Sequence, residues 1–432
     1  MSSVRQQALT LVAPIALGQE GRVEAWLREQ RRALQRALER SSTTHFARWV
    51  VVPPSIDEQG AALGERHLLA FESNFDGSLD EHVADLRTAL GPLFDGAFGA
   101  VEGYPGSANL TALADFFRSD AARRAAVYYV AHAGLSVPVV QSDAKLKLAL
   151  ETRIRERSVG ARCVAEDALE LARDLQQAGR RAAERDGLHW GSVDRGLPAA
   201  PTGWRASWPP WLVAALARPF AVLSALLIAP WFEYRDEQLR PRLKPLDAEQ
   251  LRRKRDLIGR EEDRVEQNGL THLVPIKPGR YRSFALATMV YLVTAMAEAG
   301  ARLGNLGGIT SIHFARWVVL PERTGARLLF FSNYDGSWEA YLGDFIDKAS
   351  MGLTMIWTNT LGYPKTNLLL FKGARDEPAF KRWTRDYQVP TQVWYSAYPT
   401  LSVQDVLKNA EIRELLATEL SLERAERLLG LL

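Results

Sequence analysis

The chain has 432 residues, 47% of them hydrophobic and 24% charged, enough for two or three domains with sizeable cores. A net charge of +3 spread over that length, with no RNA or DNA motif, gives no reason to expect nucleic-acid binding. The one cysteine, Cys163, excludes a disulfide framework and a cysteine metal cluster and fits a reducing compartment; the N-terminus lacks the basic–apolar–small pattern of a secretory signal.

Leu9 to Ala16 is a short apolar run that reads as a buried strand. Glu20 to Arg40 places Val23, Trp26, Leu27, Leu34 and Leu38 on one stripe among Arg and Glu, the pattern of an amphipathic helix. Phe46 to Val52 is β-rich and stops at Pro53-Pro54, and His67 to Phe71 is the next strand of a hairpin. Asp76-Gly77-Ser78 ends it, and Ser78 with Glu81 has the spacing of a capping box for the following helix. A second helical piece, Leu110 to Arg118, leads to a last strand, Ala126 to Ala131. The order is β-α-β-β-α-β, a ferredoxin-like unit.

Ser142 to Arg185 is helical in pattern and heavily charged, and Gly187 to Pro210 is a Gly, Pro and Trp-rich loop. Trp211 to Phe232 then carries one charge, Arg218, between aromatic ends that suit a membrane interface. Its length approaches the roughly 20 apolar residues of a membrane span, but Arg218-Pro219 in its interior favours a bent segment lying in one leaflet. The competing reading is a buried helix that packs the two halves together. Glu233 to Glu266, dense in both charges, reads as a solvated linker.

The first unit then returns. His45 to Val51 (HFARWVV) recurs as His313 to Val319, Asn74-Phe75-Asp76-Gly77-Ser78 as Asn333-Tyr334-Asp335-Gly336-Ser337, and Gly103-Tyr104-Pro105 as Gly362-Tyr363-Pro364. The later two blocks keep one spacing of 259 residues (76 to 335, 104 to 363), so a whole domain is duplicated. Strands are expected at Leu270 to Ile276, His313 to Leu320, Arg327 to Ser332 and Thr391 to Ala397, with helices from Ser337 and after Leu401-Ser402-Val403, the echo of Leu135-Ser136-Val137. One helix departs from its counterpart: Phe284 to Ala297 has no charge, which points to burial or a shallow lipid contact.

Two such units in tandem resemble the dimeric α+β barrel superfamily, which includes dye-decolorising peroxidases and chlorite dismutases. The chain is also similar to a group of bacterial proteins with the same HFARWV and SN-aromatic-DGS pairing. The resemblance implies an α+β fold of two tandem ferredoxin-like domains, 1–160 and 267–432, forming a pseudo-symmetric barrel. A helical linker, 161–266, carries the membrane-seeking stretch 208–232. In dye-decolorising peroxidases a Gly-x-x-Asp-Gly motif supplies the acid above a haem; here Ser73 and Ser332 replace its first glycine, before Asp76 and Asp335.

Asp76 and Asp335 are candidate catalytic acids or bases; the alternative is a turn in which Gly supplies the positive φ and Asp caps a helix. His132, aligned with Tyr398, and His272 are the further catalytic candidates, because a site usually breaks a repeat's symmetry. If haem binds, the resemblance implies His132, His272 or His313 as its ligand; His45 is the equivalent of His313. Arg48, Arg316, Asn74, Asn333 and Tyr398 are candidate ligand-binding residues, the arginines suiting a carboxylate or phosphate if they face inward. Two functions follow as expectations. One is a membrane-associated oxidoreductase of peroxidase or oxygenase type acting on an apolar small molecule or lipid; the other is a non-catalytic, membrane-bound lipid or small-molecule binding protein. The expected location is the cytoplasmic side of a membrane, with a soluble cytoplasmic protein as the alternative.

Overall fold

A computed structural model of the chain describes residues 4–54, 66–119, 121–160, 168–193, 229–239, 248–259, 262–300, 304–322 and 325–432. Cys163 and most of the apolar stretch, 208–228, lie outside the described residues.

The first copy runs β1 (Gln6–Pro14), α1 (Glu20–Glu29), α2 (Arg31–Leu38), β2 (Thr44–Val52), β3 (Leu68–Asp76), α3 (Leu79–Leu90), α4 (Pro92–Phe98), α5 (Leu110–Arg118) and β4 (Val127–Val130). Four helices follow among the described residues: α6 (Val137–Gly160), α7 (Ala168–Asp186), α8 (Ala229–Leu239) and α9 (Ala248–Gly259). The second copy is β5 (Gln267–Pro275), α10 (Arg280–Gly300), β6 (Ile312–Glu322), β7 (Gly325–Asp335), α11 (Trp338–Trp357), a small hairpin β8 (Thr366–Asn367) and β9 (Phe371–Lys372), α12 (Glu377–Tyr387) and β10 (Val393–Ser396). Helices α13 (Val403–Leu416) and α14 (Leu422–Leu431) close the chain.

Local chemistry accounts for the boundaries. Gly77 and Gly336 hold φ of +83° and +78° at the ends of β3 and β7, a left-handed turn that glycine adopts without cost. The Ser78–Glu81 capping box forms at α3, and Ser402 with Asp405 forms another at α13.

The sheets are not those of two self-contained units. One is ordered β1-β3-β2-β10 and the other β4-β6-β7-β5, both antiparallel. Each copy gives its last strand to the other: β10 pairs with β2, placing Trp394 opposite Arg48, and β4 pairs with β6, placing Tyr128 opposite Arg316. Before crossing, the chain touches its own first strand only briefly, through Leu11–Ala122 in copy one and His272–Gln388 in copy two. These contacts are single bridges rather than ladders. The expected barrel is therefore not closed; two four-stranded sheets pack face to face instead.

Alternation sorts the side chains. The outer face of the first sheet (Leu9, Leu11, Trp49, Phe71) buries against α1 to α5, and that of the second (Leu270, Val274, Trp317, Phe330) against α10 to α12. Between the sheets lie Val12, Val50, Val52 and Ala70 from one and Leu273, Val318, Leu320 and Phe331 from the other. Helices α6 and α7 join α13 and α14 around Leu146, Leu175, Ile412 and Leu428, with Arg413 and Asp143 paired at 2.8 Å.

Candidate functional site

Between the sheets a polar layer follows the apolar one. Arg48 and Arg316 point inward and are fully buried, with their acceptors on the opposite sheet. Arg48 donates to the Leu270 carbonyl (2.8 Å), Thr271 Oγ1 (3.3 Å), the Ser332 carbonyl (2.9 Å) and Asn333 Oδ1 (2.5 Å). Arg316 repeats the pattern on the Leu9 carbonyl (2.7 Å), Thr10 Oγ1 (3.0 Å), the Ser73 carbonyl (3.0 Å) and Asn74 Oδ1.

One carboxylate serves both arginines. Glu72 meets Arg48 Nε through Oε2, and its Oε1 lies 3.1 Å from Arg316 and accepts from Asn74 at 3.0 Å. Its counterpart in the second copy is Phe331, whose ring lies 5.1 Å from the Arg48 guanidinium, while Arg316 sits 5.5 Å from the Tyr128 ring. Burial pulls both guanidiniums below their ordinary pKa, and Glu72 opposes the shift. The carboxylate that these arginines hold is thus the chain's own, and Asn74 and Asn333 are their acceptors rather than free contacts for a ligand.

At the next level a second cluster crosses the pseudo-twofold. His45 Nε2 lies 2.9 Å from Asp76 Oδ1, and His45 Nδ1 lies 2.8 Å from Tyr398 Oη. Tyr398 Oη is 3.3 Å from His132 Nε2, His132 Nε2 is 3.5 Å from His313 Nδ1, and His313 Nε2 is 2.7 Å from Asp335 Oδ1. Six residues therefore make a continuous polar chain from Asp76 to Asp335. His45 and His313 thus each turn Nε2 to a carboxylate and Nδ1 to the centre of the cluster. Tyr398 Oη lies between His45 Nδ1 and His132 Nε2, and His132 Nε2 lies between Tyr398 and His313. Burial, with Asp76 next in importance, pushes the Tyr398 hydroxyl well above its ordinary pKa.

The surroundings fix this cluster. Asp76 Oδ2 accepts from the Val137 amide at 2.8 Å, at the start of α6, and Asp335 Oδ2 from the Val403 amide at 2.7 Å, at the start of α13. The Asp-Gly turn is as expected, but the carboxylate caps a distant helix rather than the adjacent one. Gln6 clamps the His132 loop through the Leu135 carbonyl (2.8 Å) and the Gly134 amide (3.0 Å), and Gln267 clamps the Tyr398 loop through the Tyr398 carbonyl (3.1 Å) and the Leu401 carbonyl (2.5 Å).

The structure thus gathers Asp76, Asp335, His132, His313 and Tyr398 into one place and leaves His272 out. His272 is on the outer face of β5, where Leu11 stands in β1, with its ring 4.9 Å from Trp357 and 4.6 Å from Trp383. Neither ring nitrogen has a hydrogen-bond partner among the described residues, and burial holds its pKa down at about 3. It is a neutral core residue. Haem does not fit these histidines: both nitrogens of His313 face protein partners, His132 sits between Tyr398 and His313, and aromatic rings box His272.

Glu72, Gln6 and Gln267 are the site residues that sequence reasoning missed. The repeat held a signal for the first, since its spacing aligns Glu72 with Phe331, a carboxylate against a ring within one strand. Comparison with known protein families, curated proteins and solved structures finds no match for this chain.

Proposed function

We propose that this chain works at a membrane surface and binds an apolar small molecule or lipid there, with the two sheets as its scaffold. The tandem ferredoxin-like description, with exchanged last strands, belongs to the same reading. The observation that carries it is aromatic exposure at one corner: Trp231 is 53%, Tyr234 62% and Phe284 69% exposed. Trp231 and Tyr234 sit on α8, directly after the apolar stretch 211–228, and Phe284 is on the charge-free part of α10.

The two helices are held together at this corner. Asp236 accepts from Lys277 (2.7 Å) and Arg282 (2.8 Å), and Phe232 stacks on Tyr281 at 4.5 Å. Aromatic rings with an apolar body and a polar edge are the side chains that settle at the headgroup level. No helix among the described residues is long and apolar enough to cross a membrane. The test is fractionation of cells expressing the full chain or a chain lacking 208–228. Release of the shortened chain into the soluble fraction supports the reading, and an unchanged distribution refutes it.

A second reading, acid–base or oxidoreductive chemistry on an apolar substrate, is favoured by the convergence of Asp76, His132, His313, Asp335 and Tyr398. It ranks second because the three imidazoles and the phenol are buried at the sheet interface. Asp335→Asn decides it: turnover of an apolar peroxidase substrate that Asp335→Asn abolishes would support it, and no turnover by the wild type would end it.

A further inference from the structure

We infer that the β8–β9 hairpin, Thr366 to Lys372, is a loop that inserts into a membrane surface rich in anionic phospholipid, with Leu368 and Phe371 as apolar anchors and Lys372 at the headgroup phosphates. The inference rests on the membrane reading and adds to it a second contact and a lipid class. The hairpin is where the second copy departs from the first. Copy one goes from Pro105 to Asn109, the N-cap of α5, in four residues; copy two takes twelve from Pro364 to Asp376, the N-cap of α12. The extra length carries the run Leu368-Leu369-Leu370-Phe371 between Lys365 and Lys372. Turns ordinarily take Gly, Asn, Asp or Ser, and this run does little for the core. Leu369 is buried, but Phe371 is 50% exposed and Leu368 and Leu370 are only half-buried. Leu368, Leu369 and Lys372 hold φ of +55°, +58° and +62°, three of the four non-glycine residues with positive φ among the described residues. Left-handed backbone is unfavourable for leucine, and strain of this kind gathers at binding sites.

The hairpin is fixed to the helix that carries the exposed aromatic rings. Glu233 of α8 accepts from Thr366 Oγ1 and from the Leu369 amide, both at 3.0 Å, and Lys365 pairs with Glu237. Trp231 and Tyr234 are exposed on the same helix, so its aromatic corner and the leucine-rich tip form one amphipathic surface. Charge selects the lipid. Residues 229–237, 277–284 and 365–372 together carry six cations against three carboxylates. Those carboxylates, Glu233, Asp236 and Glu237, are all engaged within the corner. Arg235, Arg280 and Lys372 are exposed and make no ion pair among the described residues. Apolar side chains beside unpaired cations favour a bilayer whose headgroups are anionic.

The test is sedimentation of the full chain with vesicles of phosphatidylcholine alone or of phosphatidylcholine mixed with phosphatidylglycerol. The wild type should bind the mixed vesicles at least about ten-fold more tightly. Leu368→Asn/Phe371→Ser, in which asparagine tolerates the left-handed turn, should weaken that binding about ten-fold or more. Lys372→Gln should weaken it about five-fold, on the mixed vesicles only, and Leu148→Gln, at an exposed position of α6, should leave it unchanged. A wild type that binds while Leu368→Asn/Phe371→Ser binds equally well overturns the inference and leaves the membrane reading standing. Equal binding of the wild type to both vesicles overturns the lipid class, and binding to neither overturns the inference and the membrane reading together. Hydrogen exchange of the vesicle-bound wild type decides without any variant: slowed exchange of the amides of 366–372 supports insertion, and unchanged exchange there refutes it.

Discussion

Glu72→Gln keeps the shape of the side chain and removes the one charge that two buried arginines share. Removing one partner of a buried ion pair typically costs about 3–5 kcal/mol, because the remaining charge is left uncompensated. Both guanidiniums keep their four protein acceptors on the opposite sheet, so the loss is mainly electrostatic. At an effective dielectric of about 20, a unit pair near 3 Å is worth roughly 5 kcal/mol before desolvation is subtracted, which agrees with the same range. For 432 residues, an unfolding entropy of about 2.1 cal/mol/K per residue gives roughly 0.9 kcal/mol/K. The thermal midpoint should then fall by about 3–6 °C, with a matching shift in urea midpoint followed by circular dichroism. A Glu72→Gln midpoint within about 1 °C of wild type would refute the electrostatic reasoning.

Other consequences follow from the same contacts. His272 and His82 are buried with pKa values held down at about 3 against 6.5 for an ordinary histidine, burial being the main cause for both. The unfolded chain therefore binds more protons below pH 6.5, so each histidine's contribution is complete above about 6.5 and is lost as pH falls toward 3, about 3–5 kcal/mol apiece. Urea titrations of wild type and His272→Leu from pH 7 to 4 should show the variant losing less stability; parallel curves would contradict this. A methyl group on Gly269 would lie 2.7 Å from the Trp394 ring, whereas Ala8 faces the smaller Tyr128 in the other copy. Gly269→Ala should cost about 1–3 kcal/mol by overpacking, and Trp394→Tyr should recover most of it. Ser402→Ala removes a complete capping box at α13 and should cost about 1 kcal/mol by thermal melt.

Local features were legible and pairings were not. The strands, the Gly77 and Gly336 turns and the starts of α3, α6, α11 and α13 follow from alternation, glycine and capping residues, which act over a few positions. The exchange of β4 and β10 does not, because Val127–Val130 reads as a strand whichever sheet receives it. The same non-locality hid the face of Arg48 and Arg316, whose acceptors lie more than 200 residues away. Asymmetry between the copies was a useful but incomplete guide. His132 and Tyr398 meet at the cluster, while His272 departs from Leu11 only as a different way of filling a core. The twinned His45, His313, Asp76 and Asp335 proved to belong with the asymmetric pair, since the two halves of one cluster come from two copies of one motif.

The membrane reading is tested most directly by flotation of the purified full chain with lipid vesicles, comparing wild type with Trp231→Glu/Phe284→Glu. Both positions are exposed and outside the sheets, so the double variant should fold and melt like wild type. Wild type is expected to float with the vesicles and the variant to stay at the bottom of the gradient. Equal flotation of the two, or a wild type that never leaves the bottom, would contradict the proposal.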